Sequence, residues 1–196
     1  MEQMVVDAMA KARQMILDGD EVIRTFFAQS ANGGKHVIMA PCEADNEEGM
    51  ILYLKMLFAI LNVEAYCMMS EVWMTVSEDG KPASTGVRPS QSPNRQEALF
   101  AVTVRRAPDD KGGSRIDARS ARAMIKRNPT AIGDVIWDEA AIVGGRFSEL
   151  LPPAGIGPCP DVEGAMEILK KVGQLAGIAG VNMHDLHARP AGVSVH

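Results

Sequence analysis

The chain has 196 residues, of which 46% are hydrophobic and 23% charged, globular proportions that exclude disorder throughout and suit one hydrophobic core with a modest appendage. A net charge of −5 argues against general binding to phosphate backbones, and the longest apolar run, 50–63, carries Lys55 and is too short to cross a bilayer. Three widely spaced cysteines without a Cys-x-x-Cys pair indicate neither a disulfide framework nor a thiolate zinc site, and they fit a reducing, cytoplasmic setting.

In chain order, residues 3–18 place Val5, Met9, Ala12, Ile16 and Leu17 at helical spacing, which predicts an amphipathic helix stopped by Gly19 rather than a signal peptide. Two apolar runs, 22–27 and 36–40, flank Asn32-Gly33-Gly34 and predict a β-hairpin, because the turn needs positive φ. Asp45 and Glu48 have capping-box spacing before a helix at 46–61 that is apolar almost all round and therefore expected to be buried. Residues 65–77 alternate as a strand with both faces largely apolar, which predicts a central position. A polar connection at 78–96 leads to a strand at 98–106, then a loop at 109–114.

Residues 115–127 fit either a helix or a strand, and the loop lengths favour a strand. A Pro/Gly-rich linker at 151–160 precedes an amphipathic helix capped by Asp161, with Val162, Met166, Leu169, Val172 and Ala176 as its expected core face. The tail 182–196 has few apolar anchors and is expected to be mobile. The order α-β-β-α-β-β-β, followed by an irregular region and a C-terminal helix, gives an α+β class: a twisted antiparallel sheet packed by helices. The expected division is a core at 1–150 and an appendage at 151–196.

One stretch stands apart chemically. Alternation places Glu71 on the strand face of Cys67, Met69 and Trp73, and a carboxylate among apolar groups must be paired or protonated. The connection supplies Arg88 and Arg95 as candidate cations, with Glu97 beside them and Trp73 as an aromatic wall. Glu71 is either a general base in a polar site or half of a structural ion pair stapling the connection to the sheet.

The run Ser70-Glu71-Val72-Trp73-Met74, then Arg88-Pro89-Ser90-Gln91-Ser92-Pro93-Asn94-Arg95-Gln96-Glu97, resembles a signature of small uncharacterised bacterial and phage proteins. The resemblance implies a strand–loop–strand arrangement and, by analogy, a phage- or defence-related regulatory role. No catalytic residue carries over from it.

Weaker constellations follow. His184 and His187, three apart, could share a metal on one helix turn with Asp185 or His196, although a polar histidine-bearing tail is the simpler explanation. Cys42 lacks a demonstrable base. The cations of 105–127 are interrupted by Asp109, Asp110 and Asp117, with no aromatic residues between them for base stacking. Phosphate-loop, dinucleotide and serine-elbow motifs are missing, so no cofactor is expected. The favoured expectation is a non-enzymatic domain for a protein partner or self-association. The rival is a small hydrolase-like enzyme using Glu71 with Arg88 or Arg95.

Overall fold

The computed structural model of the chain describes residues 2–41, 46–75, 91–110, 112–138 and 149–185. Among them it forms α1 (Glu2–Asp18), β1 (Thr25–Ser30), β2 (Lys35–Met39), α2 (Glu47–Ile60), β3 (Val63–Thr75), β4 (Arg95–Pro108), β5 (Ser114–Arg127), β6 (Thr130–Ile132), β7 (Ile136–Trp137), α3 (Val162–Leu175) and β8 (Asn182–Asp185). The class is α+β. One antiparallel sheet runs β6-β5-β4-β3-β1-β2-β8, and β7 pairs with β5. No helix among the described residues is long and apolar enough to cross a membrane.

The chain divides into two compact units. The first holds Met1–Arg24, Cys67–Thr103 and Ala118–Gly144; the second holds Thr25–Tyr66, Val104–Asp117 and Gly145–His196. The helix α3 thus belongs with the hairpin and α2.

In the first unit, Val5, Ala8, Met9, Ala12 and Ile16 of α1 are buried, a helical stripe as the spacing predicts, while Leu17 faces solvent. Arg13 anchors the helix by donating from Nη2 to the Ile132 carbonyl at 2.9 Å. β3 is buried on both faces from Tyr66 to Ser70, as its apolar alternation requires, and then opens at Glu71–Trp73. Residues 115–127, ambiguous by periodicity, are strand.

In the second unit, the hairpin β1–β2 pairs Phe26 with Ile38 and Ala28 with His36. Gly33 takes φ +85° at the turn, where its N–H donates to the Ser30 carbonyl at 2.9 Å. β1 begins at Thr25, not at 22, for a reason found in the site below. Phe26, Phe58 and Tyr66 form the aromatic heart, with ring centroids 5.2–6.2 Å apart and edge-on or tilted geometry. Burial raises the Tyr66 phenol well above its ordinary range.

α2 buries Met50, Ile51, Leu54, Leu57 and Phe58. Its burial is one-sided, however, because Leu52 is 60% exposed. The expected capping box is replaced by Asn46, which makes no side-chain cap. Its amide instead donates to the Ala176 and Gly177 carbonyls at 3.2 and 3.4 Å, satisfying the end of α3. Asp45 lies outside the described residues.

The tail also differs from expectation at its start. Residues 182–185 form β8, antiparallel to β2, with Met183 opposite Ile38 and His184 opposite Val37. Four residues carry too little pattern to announce a strand. Pairing with an open sheet edge creates it. The remainder, 186–196, lies outside the described residues.

Candidate functional site

Glu71 is satisfied from two directions. Its Oε1 accepts the Val22 N–H at 2.9 Å, and its Oε2 accepts from Arg127 Nη2 at 2.6 Å. Arg127 also grips Glu97 in bidentate fashion, Nε to Oε2 at 2.8 Å and Nη2 to Oε1 at 2.6 Å. The two carboxylates are mostly covered, whereas Arg127 is 41% exposed. Hydrogen bonds from Arg127 hold the Glu97 carboxyl below the usual carboxylate range.

The cation that meets Glu71 is therefore Arg127 at the end of β5, and not a residue of the connection. Arg95 lies instead over the Trp73 ring, 5.0 Å from its centroid, a cation–π arrangement on a half-exposed indole. Arg88 falls outside the described residues. Glu97 does join the cluster. The Val22 contact fixes where β1 can start, since a backbone N–H committed to Glu71 is not free for the hairpin ladder.

A second polar pair sits at the hairpin. Ser30 Oγ and His36 Nε2 are 2.9 Å apart, the spacing of a nucleophile and its base. The surrounding donors are all committed, however. The N–H groups of Ser30, Ala31 and Gly33 reach the carbonyls of Gly34, Asn62 and Ser30, and that of Gly34 reaches Asn32 Oδ1. With Ser30 buried and those donors spent, no oxyanion could be stabilised, so the pair is a clasp on the turn.

His184 lies exposed on β8, a strand, where the helix-turn spacing proposed with His187 does not apply. His187 lies outside the described residues, and among the described residues no three His, Cys, Asp or Glu side chains could share a metal. Cys67 is fully buried and its thiol is pushed up to about 12 by that burial, which makes it a small hydrophobe. Cys42 lies outside the described residues.

The cations of 105–127 are largely committed. Arg105 bonds Asp117 at 2.7 Å, buried Arg122 pairs with Asp138, and Arg127 serves the two glutamates. Ser120 Oγ also donates to Asp138 at 2.8 Å, which closes β7 against β5.

The feature that the sequence did not announce is the outer face of α3. The side chain of Asp161 caps the helix by accepting from the Gly164 N–H at 2.9 Å. Leu169 and Gly173 are the buried residues, and a methyl group added at Gly173 would come within 2.8 Å of the Tyr53 ring. That close approach to α2 turns the helix from its expected orientation. Val172, assigned to the core by spacing alone, is 37% exposed, Ile168 is 61% exposed and Leu175 is 90% exposed; Val162 and Ala176 also face solvent. Residue volume decided the rotation, because only glycine permits that helix contact.

Comparison with known proteins gives no match to a family model, a curated protein or a solved structure.

Proposed function

We propose that the chain is a non-enzymatic protein-binding or assembly domain that docks through the outer face of α3. The observation that carries this reading is the exposure of Ile168, Val172 and Leu175 on one side of a capped, packed helix. Single exposed apolar side chains are ordinary, but a row at positions i, i+4 and i+7 is an anchor pattern for a helical partner. Covering a side chain of that size contributes about 1.5–3 kcal/mol.

Two further observations support binding over catalysis. Both oxygens of Glu71 already accept hydrogen bonds, which leaves it poorly placed as a base. Ser30 and His36 lack oxyanion donors from the turn. The commitment of Arg105, Arg122 and Arg127 to carboxylates supports a partner other than nucleic acid.

The test is a photo-reactive residue at Gln174, beside the row, in cells that express the chain. The expected result is a discrete crosslinked species that disappears in Leu175→Glu. Absence of any crosslinked species would remove the binding reading.

A further inference from the structure

The outer row of α3 has a spacing more specific than amphipathicity. Ala165, Ile168, Val172 and Leu175 follow one another at intervals of three, four and three residues, the alternation of a coiled-coil seam. The seam lies beside the face that packs on α2, so it is not used within this unit: Ile168, Val172 and Leu175 stay open to solvent, and Ala165 is half-buried. A seam with that period fits another helix better than it fits a pocket or a sheet edge.

The charges choose the helix. Glu163 and Glu167 occupy the first half of α3 and Lys170 and Lys171 the second, all exposed. A parallel copy would set acid against acid and base against base. An antiparallel copy, related by a two-fold axis near residue 170, sets Glu167 of one helix near Lys171 of the other. The same axis brings Ile168 to Val172 and the small Ala165 to the large Leu175, so volumes complement as well as charges. The two macrodipoles also oppose.

We infer that the occupant of the α3 row is a second copy of this chain, packed antiparallel through α3. The inference rests on the binding reading above and names its partner. Fourteen residues make a helix about 21 Å long, so this contact alone buries less than the area of a standard stable interface. The dimer is therefore reversible and forms in the micromolar range or above.

The experiment is sedimentation velocity of the full chain from low micromolar to several hundred micromolar, with variants confined to exposed positions. Ile168→Glu removes the dimer, and Leu175→Glu replaces it if that variant does not fold. Glu163→Lys/Glu167→Lys makes the helix wholly basic, and Lys170→Glu/Lys171→Glu makes it wholly acidic. Each alone associates about tenfold or more weakly than the parent, and an equimolar mixture of the two recovers association.

A chain that stays monomeric across the range overturns the inference. So does a dimer indifferent to Ile168→Glu and to the charge reversals, or a mixture that fails to recover. If the chain is monomeric yet Gln174 still crosslinks to a different protein, the second-copy inference falls while the binding reading stands. If it is monomeric and no crosslink forms, both fall.

Discussion

The Glu71 cluster and the outer face of α3 complete their interactions in opposite ways. In the cluster, two mostly covered carboxylates share one guanidinium and one backbone N–H, so the polar groups are saturated inside the fold. On α3, large apolar side chains stand in solvent beside a helix face that is fully packed. The contrast teaches where to look for function. A covered charge with every partner in place is an internal staple, whereas apolar area left open implies something outside the unit to cover it.

Substitutions can break or sharpen this contrast. The largest effect is expected for Arg127→Met, which leaves two carboxylates facing each other without their cation. The expected loss is about 2 kcal/mol, smaller than for a fully buried pair because Arg127 is 41% exposed, and is read as a lower urea midpoint. An unchanged midpoint would mean that the cluster is decorative. Gly173→Leu, on the packed side of α3, should cost about 1–3 kcal/mol by driving a side chain into the Tyr53 ring.

Glu71→Gln keeps an acceptor for Val22 but gives up the charge facing Arg127, for an expected loss of about 1 kcal/mol. Smaller still is the acid response. The Glu97 carboxyl titrates lower in the folded chain than in the unfolded one, so its contribution is complete above the ordinary glutamate value of about 4.3. That contribution fades as pH falls through the lowered folded value. Urea midpoints measured down through this window should fall less steeply in Arg127→Met than in the parent. Leu175→Ser should sit at the bottom of the scale, within about 0.5 kcal/mol in dilute solution, since 90% of that residue is already in water. A larger loss there would show the outer face to be packed after all.

Much of the architecture was readable beforehand because it depends on local signals. Periodicity located α1, α2 and the long strands, and Asn32-Gly33-Gly34 marked the hairpin. Alternation also exposed Glu71 as an acid in need of a mate. Its actual mate was not readable, because nearness in sequence pointed to Arg88 and Arg95. Arg127 reaches Glu71 and Glu97 only through the register of β5 against β4, set from the far-off turn at Asp109 and Gly113. Counting outward from that turn could have nominated it. The rotation of α3 was hidden for another reason: the spacing rule treats glycine as neutral, while the helix pair selects it for its lack of volume. β8 depends wholly on a partner strand.

The hydrogen bond from Val22 to Glu71 links residues 49 positions apart. It acts as a brake on zippering: the first hairpin cannot lengthen backward past Thr25 once the carboxylate is in place. A synthetic peptide covering 20–41 carries no such brake. Its two arms are free to pair as far as Val22, so the full-length chain trims its own hairpin with a side chain that is translated only later.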